Sequence, residues 1–174
     1  GRFTSLAVPQ GNRWTVNLSL PTGQGTVFNG DMQIVARGLP AGVSIANNHI
    51  PGGTSVWPLQ FIAAPEAKPG GAVITLDVRR TDHGKDLETG SMQWMPFINH
   101  SGGDAWRAVK TDRFIMAVTD PAPFSIELRQ PSIPLVRGGE LAIPVRLTRR
   151  DGFTGPIEFK CDFAPSGIVL PPAE

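Results

Sequence analysis

Trp14-Thr15-Val16-Asn17-Leu18-Ser19-Leu20 alternates without a break, placing Trp14, Val16, Leu18 and Leu20 on one face and polar residues on the other. A side-chain period of two with one apolar face is the mark of a half-buried antiparallel strand. Outward from this stretch the pattern recurs. Ile74, Leu76 and Val78 alternate with Thr75, Asp77 and Arg79, and Leu141, Ile143, Val145 and Leu147 form a third apolar row. Pro144 has no N–H to give a ladder, so that last strand is expected at an edge or with its nitrogen turned outward. Pro51-Gly52-Gly53 and Lys68-Pro69-Gly70-Gly71 punctuate the runs as turns, and Asp151-Gly152 is expected to close a tight hairpin. No window keeps a 3.6-residue apolar period, so no long helix is expected.

Composition points the same way. Of 174 residues 40% are apolar, enough for a core, and 20 Gly and 17 Pro are spread along the chain. Short strands joined by tight turns, with no helices between, predict an all-β chain in which two sheets stack as a β-sandwich. A net charge of +1 offers no electrostatic attraction for nucleic acid or an anionic membrane. No apolar run is long enough to insert into a bilayer. The single Cys161 excludes an intramolecular disulfide. It falls on the apolar side of the run from Ile157 to Phe163, where a small buried hydrophobe is expected.

The chain also repeats itself. Phe28-Asn29-Gly30 and Pro40-Ala41-Gly42-Val43 reappear at one fixed offset as Phe153-Thr154-Gly155 and Pro165-Ser166-Gly167-Ile168. Between these anchors Met32, Ile34 and Ala36 fall on Ile157, Phe159 and Cys161 without a gap. Self-similarity of this kind defines the building unit. The first unit is expected over 1–120, with Phe114 to Val118 as its last strand and an insertion at 81–113 read as a further hairpin with an elaborated loop. Asp120-Pro121-Ala122-Pro123 forms a short, semi-rigid joint. The second unit, 121–174, opens with Phe124 to Leu128 and is expected to hold about three strands, the N-terminal part of a repeat. Half a sandwich leaves an open apolar face and an unpaired edge. Those strands are therefore expected to be poorly ordered or paired with another surface.

These motifs suggest a family. Arg146 to Phe159, with its R-x-x-G-F-x-G-P-I core, and Gly38-Leu39-Pro40-Ala41-Gly42-Val43 resemble bacterial immunoglobulin-like tandem repeats of large secreted or surface proteins, of the pre-peptidase-associated type. Ile50-Pro51-Gly52-Gly53 and Ala63 to Gly70 look like the turns that follow in such repeats. The second copy departs from the pattern where Phe163-Ala164 replaces Gly-Leu. The resemblance implies an immunoglobulin-like β-sandwich followed by a partial second one. It also implies a secreted, periplasmic or cell-surface location and a non-catalytic role as spacer or protein-interaction module. The partners implied are other domains of the same polypeptide or another protein. The family carries no catalytic residues over to this chain, and no cofactor is expected.

His49, His83 and His100 sit in polar or Gly-rich stretches, and no Gly-x-Ser-x-Gly elbow is present. His100-Ser101-Gly102-Gly103-Asp104 holds the residue types of a triad, but adjacency in sequence is not triad geometry. Asp82 to Glu88 fits no calcium loop and carries Lys85 within it, so it reads as a solvated turn. Zinc lacks its ligand cluster. Carbohydrate binding is the alternative function, because exposed aromatic rings can stack on sugars. Trp106, after a Gly-rich loop, and Trp57 are the candidate ligand contacts, whereas Trp14 and Trp94 are expected in the core.

Overall fold

A computed structural model describes residues 4–20, 30–82, 85–99, 105–159, 161, 164 and 167–169, and for 81–82, 85–87, 95–99 and 105–106 it describes the backbone. The described residues form no helix. The chain divides into two compact units, Gly1–Pro121 and Ala122–Glu174.

The first unit is all-β. Its strands are β1 (Ser5–Pro9), β2 (Arg13–Ser19), β3 (Met32–Arg37), β4 (Val43–Ile45), β5 (His49–Ile50), β6 (Val56–Ala63), β7 (Gly70–Asp82), β8 (Lys85–Gly90), β9 (Gln93–Asn99), β10 (Ala105–Thr111) and β11 (Phe114–Thr119). One sheet runs β1-β11-β7-β3-β5 with β8 added to β7, and a second runs β2-β6-β4. All neighbours are antiparallel except β1 and β11, the first and last strands, which pair in parallel.

The alternation read from sequence becomes the core. Ile74, Leu76 and Val78 of β7 are buried with Leu6, Val8, Ile34, Met116 and Val118 from the same sheet. Leu59 and Phe61 of β6 join them in one cluster, flanked by Val16, Leu18, Val43 and Ile45 from the smaller sheet. Burying one such aliphatic or aromatic side chain stabilises the fold by roughly 1.5–3 kcal/mol. Trp14 lies opposite Phe61 on the inward face, yet it is 43% exposed at the rim. Its expected core position is thereby corrected.

The expected insertion at 81–113 has a different build. β8 continues along the edge of β7 that β11 occupies at the other end, since β3 holds the opposite edge. β8 and β11 therefore act as one edge strand interrupted between Gly90 and Phe114. The excursion proper is the antiparallel β9–β10 hairpin, which forms a sheet of its own. Gln93 ties its base down, accepting from the Thr4 N–H and donating to the Arg113 carbonyl. Trp94, read as core, is 56% exposed on this ribbon. With two strands and no facing sheet, a ribbon offers a ring little to pack against.

The second unit holds β12 (Phe124–Leu128) and β13 (Val145–Arg149), paired antiparallel with Ile126 opposite Leu147. The apolar row from Leu141 thus enters a strand only from Val145. Arg150 to Phe153 makes the expected turn, with Gly152 at φ 84° and the Phe153 N–H donating to the Arg150 carbonyl. That turn does not join two paired strands, because β13 pairs back to β12 instead. Phe153 stacks on Phe124, centroids 5.9 Å apart, with the Arg149 guanidinium 5.5 Å over its ring. No described residue of this unit is buried, and Cys161, expected to be buried, is exposed.

The turn before β4 explains one motif glycine. Gly42 sits at φ 81°, and a Cβ there would come within 2.9 Å of the Ala67 Cβ. Its carbonyl accepts from the Ala64 N–H, locking two loops together. Gly53 has a similar φ of 78° with open space around it. Gly42→Ala should therefore cost about 3 kcal/mol, the left-handed penalty plus the forced shift. Gly53→Ala should cost only about 1–2 kcal/mol. Urea unfolding of the two variants checks the difference; equal costs would mean that the contact with Ala67 is relieved without strain.

Candidate functional site

β4 pairs with β6 for only three residues before the chain crosses to β5 in the other sheet. At that crossover the backbone can no longer serve β6, and a side chain takes over. Asn47 Oδ1 accepts from the Gln60 N–H at 2.8 Å, and Asn47 Nδ2 donates to the Pro58 carbonyl at 2.6 Å. An asparagine amide carries a donor and an acceptor side by side, as a peptide group does, so it can extend a ladder. Next along the chain, the Asn48 carbonyl accepts from Ile34 N–H in the large sheet. Residues 47 and 48 therefore bond to opposite sheets.

Trp57 is built into this crossover. Its indole Nε1–H donates to the Asn47 carbonyl at 2.8 Å, and the ring is half-buried against the core. A ring whose one polar atom is used and whose body packs inward offers little surface to a sugar. Trp106 lies on β10, and its side chain falls outside the described residues. The structure thus does not bring the two candidate contacts together as a described site. Among the described side chains the exposed indoles are Trp14 and Trp94, which sequence reasoning assigns to the core.

A second constellation escaped the sequence reading. On the outer face of the large sheet Arg37 Nε donates to Asp77 Oδ2 at 2.7 Å and Arg37 Nη2 to Glu88 Oε1 at 2.9 Å. Glu88 Oε2 in turn lies 3.4 Å from Arg79 Nε. Hydrogen bonding to Asp77, then to Glu88, raises the Arg37 guanidinium above its already high value, so it stays cationic throughout the accessible range. The four residues come from three strands, and only the β3–β7–β8 pairing juxtaposes them. Two cations and two anions satisfy one another here. On an exposed surface such pairs contribute little to stability.

Beside this ladder the outer face turns apolar. Val73 and Ile115 are cross-strand partners, and each is 57% exposed. Of the histidines, His49 is exposed on β5, while His83 and His100 lie outside the described residues, as do 101–104 of the triad-like run. Among the described residues no group of three or more His, Cys, Asp or Glu is placed to hold a metal ion. Among the described residues no helix is long and apolar enough to cross a membrane. No family model, curated protein or solved structure matches this chain.

The Asn47 crossover makes a quantitative test. Asn47→Ala removes two hydrogen bonds and strands a Gln60 N–H, so it should destabilise the first unit by about 2–3 kcal/mol. Trp57→Phe keeps the ring but orphans one carbonyl and should cost about 1 kcal/mol. Chemical denaturation of both single variants and the double variant checks this, and strict additivity would contradict the coupling of the two residues.

Proposed function

We propose that the chain is a non-catalytic structural spacer or protein-interaction module of a larger extracellular or cell-surface bacterial protein, built from immunoglobulin-like repeats. The strand order supports the immunoglobulin-like part. In such sandwiches one sheet carries the first, second, fifth and fourth strands and the other the third, sixth and seventh. Here β2-β6-β4 lies across the shared core from β3, β7 and β11, while the first strand β1 pairs with β11 instead of β2. The extracellular part rests on the repeated Pro-x-Gly-Val/Ile segment and the Arg146 to Phe159 run.

The observation that carries the interaction reading is the open apolar surface of the second unit. Leu128 and Val145 face one another across the β12–β13 pair and are 68% and 48% exposed. Ile126, Ile133, Val136 and Ile143 are exposed as well. Where exposed apolar side chains gather on one face, as Ile126, Leu128 and Val145 do here, they can mark a binding surface. A neighbouring domain of the same polypeptide or a separate protein would cover it. The carbohydrate alternative has less behind it, since Trp57 is committed to the fold.

Leu128→Asp combined with Val145→Asp should lower binding of an apolar dye such as anilinonaphthalene sulfonate. The same pair should suppress concentration-dependent association in sedimentation runs. Unfolding of the first unit should shift by no more than about 0.5 kcal/mol, as for surface changes elsewhere. Unchanged dye binding and association in the double variant would argue against this surface as the binding face.

A further inference from the structure

The bond joining Asp120 to Pro121 is the one Asp–Pro bond in the sequence, and it lies where the first unit gives way to the second. We propose that it is an acid-triggered self-cleavage site, in which the Asp120 carboxyl acts as nucleophile and the Thr119 hydroxyl polarises the carbonyl that breaks.

The surroundings are suited to this. Thr119 is held in register at the end of β11, opposite Pro9, and its carbonyl accepts from the Gln10 N–H at 3.1 Å. On the far side the Pro123 carbonyl accepts from Arg150 N–H at 2.9 Å. Asp120 lies between these two anchors, exposed and outside any strand. The Thr119 hydroxyl donates to the Asp120 carbonyl oxygen at 3.2 Å. That oxygen is the atom on which negative charge grows when its carbon is attacked, and a donor already aimed there stabilises the tetrahedral state. Proline contributes because its nitrogen has no N–H bonded elsewhere in the fold that would have to be given up as it leaves. β11 and its partner β1 carry no charged side chain; along the chain, Asp112 and Arg113 precede β11 and β12 carries Glu127.

The step balances with water as the only co-reactant. A carboxyl oxygen of Asp120 attacks the Asp120 backbone carbonyl carbon and closes a five-membered cyclic anhydride. The carbon–nitrogen bond to Pro121 breaks, and its electron pair stays on the proline nitrogen. That nitrogen takes a proton from the acidic medium and leaves as a secondary amine. One water then opens the anhydride, restoring the side-chain carboxyl and creating a new C-terminal one. Nothing is oxidised or reduced. The consequence is separation of the two units in an acidic compartment, with the closed core of the first left whole.

The test incubates the full chain in mild acid and at neutral pH, followed by intact-mass spectrometry. It uses the lowest pH at which the circular dichroism spectrum of the folded chain persists. Two products are expected in acid alone, one ending at Asp120 and one beginning at Pro121, with masses summing to the chain plus one water. Asp120→Glu, which must close a larger ring, should cut at least about tenfold more slowly. Thr119→Val should cut about fivefold more slowly in the folded chain. In denaturant at the same pH the Thr119→Val and unsubstituted rates should converge. A chain that stays intact in acid overturns the proposal, as do equal rates for the unsubstituted chain and either variant in the folded state.

Discussion

The first unit depends on β7 having partners along both of its edges. From Gly70 to Asp82 one edge pairs first with β11 and then with β8, while the other pairs with β3. Its inward residues Ile74, Leu76 and Val78 can then lie flat against a second sheet, because β3 serves one edge over Thr75 to Arg79 while β11 and β8 serve the other. Leu59 and Phe61 close over them from β6. Take away either edge and the same three side chains would sit on a ribbon, half-exposed, as the side chains of the second unit do.

That contrast explains the second unit without any appeal to its composition. Phe124, Leu141, Leu147 and Phe153 are as apolar as their counterparts in the first unit, but none is buried among the described residues. Among the described residues they have β12 and β13 and no equivalent of β6 or β7 to face. Two strands supply too little area to offset the conformational entropy of ordering them. The Phe124–Phe153 stack under Arg149 is what local contact alone can assemble. The apolar ribbon is the feature on which the proposed role as an interaction module rests.

Sequence reasoning located the strands far better than it located the exposed residues. The period-two runs at Val16 to Leu20 and Ile74 to Val78 and the last strand at Phe114 to Val118 appear where alternation placed them. It missed the exposure of Trp14, Trp94 and Cys161 for one shared reason. Alternation tells which side of a strand a residue occupies, and it does not tell whether anything lies opposite that side. Asn47 was invisible for a related cause: its amide matters only because β4 ends where Pro58 and Gln60 still need partners. The Arg37–Asp77–Glu88–Arg79 ladder likewise has no signature along the chain, being spread over three strands.

By itself the sequence determined an all-β chain, several of its turns, the change of unit near Asp120-Pro121 and the apolar face of the strands that alternate clearly. These are local matters, set by backbone pleat, by glycine and proline, and by residues two apart. Only the tertiary structure decided that β8 and β11 share one edge of β7, and that β1 closes the sheet in parallel against β11. It also decided that Trp57 turns inward to Asn47 while Trp94 faces out. Those outcomes depend on pairings between residues far apart in sequence, and the free energy of burial is settled by which strand arrives opposite, which no stretch of the chain contains alone.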